Sequence, residues 1–173
     1  MTHGINRPQK REGEVELSFD PADSEGDARL VFIGTIRSPW TNRDDCPKNM
    51  REARERGRQA TMEIAEPYRA ALEGLERANH VVILSWFHQA PRNLVVQKPR
   101  HSPLSSGTFA LRSPARPNPV GLHIARLVAI DRPSGLLALE AIDALDGTPV
   151  IDVKPYFASV DSIPEAVVQP AED

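Results

Sequence analysis

The sequence predicts a mainly β protein, a small single-domain β-barrel with one short helix and long proline-rich loops. Three observations carry this reading. Six short runs rich in β-branched and aliphatic residues are spaced along the chain and separated by proline, glycine and polar residues. No strand–helix–strand alternation appears, which argues against a parallel sheet. Sixteen prolines among 173 residues, with only 5% aromatic residues, suit short segments joined by stiff turns better than a helical bundle, and the 40% hydrophobic content still supplies one core.

The elements follow in order. Residues 1–28 are charged and polar and read as a flexible N-terminal tail. Residues 29–37, RLVFIGTIR, read as a strand ended by Ser38-Pro39. Residues 40–58 form a polar loop that finishes in NMREARERGR, a short helix or a solvated charged segment. ATMEIA at 60–65 is a second strand, and Pro67 suits the first turn of a short helix over 66–77. HVVILSWF at 80–87 is almost continuously apolar, as a central strand is. A proline-punctuated loop covers 90–106. Strands over 121–131 and 135–142 are joined by Pro133-Ser134-Gly135, a hairpin signal, and 149–153 is the last strand. The folded domain is then 29–157, and 158–173 is an irregular C-terminal tail.

Composition excludes several classes. The single cysteine, Cys46, rules out a disulfide framework and a multi-cysteine zinc site. No apolar run approaches the roughly 18 residues of a membrane helix, and MTHGINRPQKREGE has no signal-peptide core. A soluble cytoplasmic protein is expected. No G-x-G-x-x-G and no Walker motif occurs. The histidines lack metal-ligand spacing, His3 and His101 have no triad partners in sequence, and no metal is expected. The net charge is only −3, but no carboxylate occurs between Glu76 and Asp131, a stretch holding Arg77, Arg92, Lys98, Arg100, Arg112, Arg116, Arg126 and four histidines. Gathered on one face, these residues attract phosphate; clustered in sequence alone, they are a solvated surface.

Residues 107–121, GTFALRSPARPNPVG, place Arg112 and Arg116 among Pro114, Pro117 and Pro119. Proline fixes φ and restricts its predecessor, so the segment is a stiff extended loop. Such a loop aims a guanidinium at low entropic cost, or is a crossover with solvated arginines. His88-Gln89 ends the most apolar strand, where loops build sites. Asp143 and Asp146 lie in the 143–149 loop, where Asp146-Gly147 is an ordinary turn signal, and could also face a ribose, an ammonium or a sulfonium.

The 107–121 stretch resembles the signature of the TrmO, or YaeB-like, family of S-adenosylmethionine-dependent tRNA methyltransferases. IGTIRSPW at 33–40, WFHQ at 86–89 and IDALDGTPVIDVKPY at 142–156 resemble the same family in the same order. The resemblance implies a small β-barrel used as a homodimer, and methyl transfer from S-adenosylmethionine to N6 of threonylcarbamoyladenosine beside the tRNA anticodon. It implies cofactor contacts from His88, Gln89, Arg112, Leu122, Asp143, Ala144, Leu145 and Asp146. It also implies cofactor contacts from Pro47, Lys48 and Asn49, which match a Pro-Arg-Gln stretch of relatives, with lysine and asparagine departing from the pattern. Arg116, Asn118, Lys154 and Tyr156 are matched as substrate-binding residues. Asp146 and Tyr156 are the candidates to help remove a proton from the acceptor nitrogen. Bacterial members often carry a further C-terminal domain for tRNA, for which residues after 157 leave no room. Two other readings stay open: a non-catalytic module that binds S-adenosylmethionine or RNA, and a methyltransferase with another acceptor.

Overall fold

A computed structural model describes residues 11–21, 23, 28–99 and 104–168. Six antiparallel strands close into a barrel: β2 (Gly34–Arg37), β3 (Ala60–Ile64), β4 (His80–Trp86), β7 (Val120–Asp131), β8 (Leu136–Leu139) and β9 (Pro149–Pro155), in the order β2-β3-β8-β7-β4-β9. Closure comes from β9, which pairs with β2 through Gly34↔Val150 and with β4 through Ile83↔Val153. A second sheet joins β1 (Val15–Glu16), β5 (Leu94–Gln97) and β6 (Ser106–Gly107). Helix α1 spans Met50–Arg56 and a single helical turn, α2, spans Ala158–Asp161.

Strand period fills the barrel. Ile36, Met62, Val81, Ile83, Leu137, Leu139 and Val150 point inward and are fully buried, each on a strand whose alternate residues face out. The pattern changes toward one end. On the paired strands β4 and β7 the inward residues run Val81, Ile83, Ser85 and Ala125, His123, Gly121, from apolar to polar.

Register fixes the two ends. Arg37↔Thr61, Ala60↔Leu139, Trp86↔Val120 and Thr35↔Pro149 bring the ends of β2, β4 and β8 and the starts of β3, β7 and β9 to one rim, here the upper rim. The start of β4, the ends of β7 and β9 and the segments before β2 and after β3 form the lower rim.

Several expectations shift. Strand 29–37 narrows to 34–37, because Leu30, Val31 and Phe32 extend beyond their neighbours and are exposed, although Ile33 still donates to the Val150 carbonyl. Strand 135–142 shortens to 136–139. The 66–77 helix is instead two 3-10 turns, Glu66–Leu72 and Leu75–Arg77, interrupted at Gly74 with φ 84°. The 90–106 loop contains β5 and the start of β6, and the expected N-terminal tail contributes β1. Polar anchors hold these pieces: Gln97 donates to Thr108 Oγ1 at 2.9 Å and to the Ala115 carbonyl at 2.6 Å. No helix among the described residues is long and apolar enough to cross a membrane.

Candidate functional site at the upper rim of the barrel

The loop over 142–147 is sewn onto the segment after β2. Trp40 Nε1 donates to the Ile142 carbonyl at 2.9 Å, Ser38 Oγ to the Ala144 carbonyl at 2.7 Å, and the amide of Asp146 to the Trp40 carbonyl at 2.8 Å. Asp146 Oδ1 accepts from the Ser38 amide at 3.1 Å. Ala144 is buried, Leu145 and Asp143 are half-buried and Asp146 is exposed. The rim loop is therefore fixed by its own backbone, with two carboxylates on its surface.

Beneath it runs a buried polar chain. Ser85 Oγ lies 2.8 Å from His123 Nε2, and His123 Nδ1 lies 2.6 Å from Asp143 Oδ1. A carboxylate only accepts, so Nδ1 carries the proton, and in the neutral imidazole the Ser85 hydroxyl then donates to Nε2. Ser85 is 0% and His123 1% exposed, and the Phe87 ring meets the imidazole edge-on at 5.8 Å. Gly121 makes the room: a methyl there would stand 2.8 Å from His123 Nε2 and 2.6 Å from Phe87 Cζ, and nearer still to Ser85 Oγ.

The proline-rich loop returns to the start of β7. Arg112 is exposed, and its one hydrogen bond among the described residues, to the Leu122 carbonyl, is long at 3.5 Å, which leaves its guanidinium open to a ligand there. Leu122 faces outward, 48% exposed. Arg116 instead braces its own loop through the Leu111 and Ser113 carbonyls at 3.2 and 3.4 Å. Asn118 is exposed and receives Arg92 at 3.4 Å; the same arginine holds the Pro117 carbonyl at 2.6 Å and stacks on Trp86. His88 and Gln89 are exposed in the turn after β4 and lie 3.3 Å apart.

The 41–49 loop closes on the same rim. Pro47 is buried; Lys48 and Asn49 are exposed. Asn49 caps α1 by accepting from the Glu52 amide at 3.0 Å, and Glu52 reaches back to the Lys48 amide at 2.9 Å, a capping arrangement that explains the asparagine locally. Arg54 of α1 donates to the Ile124 carbonyl on the outside of β7. Burial and the nearby Asp143 carboxylate push the Cys46 thiol up to about 11.

The rim thus gathers Pro47, Lys48, Asn49, His88, Gln89, Arg112, Leu122 and Asp143 to Asp146. It does not gather Lys154 and Tyr156. Lys154 pairs in register with Val82 and forms an ion pair with Asp152 at 2.7 Å, and the Tyr156 amide donates to the His80 carbonyl, all in the lower half of the barrel. A seven-residue strand, roughly 20 Å long, separates them from Asp146. Asp146 and Tyr156 therefore cannot act on one atom within one subunit. The carboxylate-free stretch also divides. The register His80↔Arg126 puts these two residues and nearby Arg77 low, while Arg92, Arg112 and Arg116 lie high. Lys98 meets Glu14, whose carboxylate accepts its amide at 3.2 Å. Arg100, His101 and His3 lie outside the described residues. No metal-binding cluster occurs among the described residues.

Sequence reasoning passed over Ser85, His123, Ser38 and Trp40 as individual residues. The signal for the first two was there: period two puts a serine and a histidine on the inward face of otherwise apolar strands.

The family model described as the tRNA-methyltransferase O N-terminal domain matches residues 35–162. The chain belongs to that family. It is 44% identical over 84% of its length to a Rhizobium radiobacter protein named "Probable S-adenosyl-L-methionine-binding protein VirR", covering 78% of it. It is 35% identical over 78% of its length to the tRNA (adenine(37)-N6)-methyltransferase of Escherichia coli, and spans 60% of that enzyme. A crystal structure of TrmO from Pseudomonas aeruginosa superposes with a TM-score of 0.67 at 36% identity, over 84% of this chain and 62% of that one. The chain thus spans under two thirds of the length of that TrmO chain.

Proposed function

We propose that this protein is an S-adenosylmethionine-dependent methyltransferase acting on N6 of threonylcarbamoyladenosine beside the tRNA anticodon, in the cytoplasm and as a homodimer. One observation carries the reading: parts of the four ordered family segments, 38–40, 86–89, 107–121 and 142–147, distant in sequence, meet at one rim of a TrmO-type barrel near an exposed guanidinium and a partly exposed carboxylate.

The donor set suits the cofactor. Arg112 is free to grip a carboxylate in two parallel bonds. Asp143 has one oxygen held by His123 and, among the described residues, no partner on the other, an acceptor for ribose hydroxyls or an ammonium. Leu122 offers an apolar surface for a base. Bound S-adenosylmethionine supplies an electrophilic methyl on a sulfonium that leaves as a neutral thioether. His88, Gln89, Pro47, Lys48, Asn49 and 143–146 wall the site, align donor with acceptor and keep water out. Asp146 is the rim group for taking the proton that the acceptor nitrogen loses as the N–C bond forms. Arg116 and Asn118 serve the substrate by shaping the loop that meets it. Lys154 and Tyr156 reach this rim only from a second copy, which gives the homodimer a reason.

The test is transfer of labelled methyl from S-adenosylmethionine to bulk tRNA from cells lacking the N6 methyl group, with nucleoside analysis of the product. A second reading, a non-catalytic module that binds S-adenosylmethionine, draws on the distance between Asp146 and Tyr156 in one subunit. Tight cofactor binding with no label in tRNA selects it. Label in another acceptor, undiminished by competing tRNA, selects a different substrate.

A further inference from the structure

We infer that Ser85 and His123 form a buried positioning relay for Asp143, fixing which carboxylate oxygen faces the rim and so the acceptor offered to a ligand hydroxyl or ammonium. The inference rests on reading 143–146 as part of the cofactor pocket.

The three residues have the connectivity of a Ser-His-Asp hydrolase triad, and the geometry excludes that use. A nucleophilic hydroxyl must meet a substrate carbon. Ser85 is 0% exposed, lies inside the barrel, and is hemmed in by His123, Phe87 and the Gly121 backbone. An acyl group has no place to form. The order of donation, Ser85 O–H to Nε2 and Nδ1–H to Asp143, instead carries orientation outward from the core to the rim.

A purely structural role accounts poorly for the chain. Polar groups in a barrel interior are tolerated only when hydrogen-bonded, and apolar side chains fill the same strands one and two steps below, at Ile83 and Val81. The 142–147 backbone does not need the histidine, because Ser38, Trp40 and Ile36 already hold it at Ala144, Ile142, Asp146 and Gly147. What His123 adds is a fixed direction for the Asp143 carboxylate itself. With Oδ1 committed at 2.6 Å, Oδ2 takes a single orientation, 17% of the side chain being open to solvent. An acceptor held before the ligand arrives loses less freedom on binding.

Calorimetry with S-adenosylmethionine on the full chain tests this, together with nitrogen NMR of the histidine rings. The wild type should show His123 as one Nδ1–H tautomer whose resonance moves on cofactor addition. His123→Leu, which cannot donate, should lose about tenfold or more in affinity, the size of a charge-assisted hydrogen bond. His123→Asn, which keeps an amide donor near the Nδ1 position, should recover to within about threefold of wild type. Ser85→Ala, the gentler change if His123→Leu does not fold, should mix the tautomers and weaken binding severalfold. Folded His123→Leu and Ser85→Ala proteins that bind like wild type, while Asp143→Asn binds weakly, overturn the relay and leave the pocket standing. Wild-type affinity in Asp143→Asn removes Asp143 from the pocket, and the inference with it.

Discussion

Gly121→Ala tests the packing on which the polar chain depends. The backbone there is ordinary extended strand, so the cost is steric. The added methyl would stand 2.6 Å from Phe87 Cζ and 2.8 Å from His123 Nε2, with Ser85 Oγ nearer still, whereas ordinary contact begins at 3.4 Å. Three neighbours must yield, and two of them, Ser85 and His123, are 0% and 1% exposed and cannot swing into solvent. Overpacking of this kind costs about 1–3 kcal/mol. Breaking the buried Ser85–His123 bond adds about 1–2 kcal/mol. Loss of glycine's chain freedom in the unfolded state returns about 0.5–1 kcal/mol. The expected net is about 1–4.5 kcal/mol of lost stability, read as a lower urea midpoint at unchanged m-value. A second change, Ser85→Gly, removes the closest obstacle, so the double variant should be more stable than the sum of the two single effects by about 1 kcal/mol or more. A Gly121→Ala protein within about 0.5 kcal/mol of wild type, with no coupling to position 85, would refute the close packing and the chain's rigidity.

Arg112→Ala should weaken S-adenosylmethionine binding by more than about 1.5 kcal/mol by calorimetry; unchanged affinity in a folded protein removes Arg112 from the site. Tyr156→Phe should leave cofactor affinity unchanged, and turnover should be restored in mixed dimers with an Arg112→Ala chain; loss of cofactor binding in Tyr156→Phe would contradict its assignment to the substrate. Cys46, at about 11 against an ordinary 9.0, should alkylate slowly at pH 8 with a rate that titrates well above that of a free thiol, and Asp143→Asn should lower the midpoint. Burial pushes the Glu14 carboxyl up, but hydrogen bonds from Arg11 and the Lys98 amide outweigh it and hold it below its ordinary 4.5. Its folded pKa is depressed, so its contribution to the β1–β5 contact is complete above pH 4.5 and is lost as pH falls through the depressed value. Protection of the Lys98 amide against hydrogen exchange, relative to a free amide at the same pH, should fall over that window, and Glu14→Gln should remove the dependence.

Strand period and breakers made most of the barrel legible in the sequence. Val120–Asp131 and His80–Trp86 lie almost where alternation and apolar runs put them, because a strand's side-chain pattern is local. The family segments were legible too, because they are contiguous strings. Other features depend on which strands become neighbours. β5 and β6 are short, lie in a proline-rich stretch, and become strands only when β1 and each other supply the missing hydrogen bonds. Arginines grouped in one stretch divided between two rims because an antiparallel hairpin carries its middle and its ends to opposite sides. Asp146 and Tyr156, ten residues apart, are separated by the length of β9, while Ser85, His123 and Asp143, spread over 58 residues, form one hydrogen-bonded chain. Local pattern was enough for the six barrel strands, the family and the residue types available for chemistry. Which of those residues meet followed from barrel closure and register, which set distances that separation along the chain does not encode.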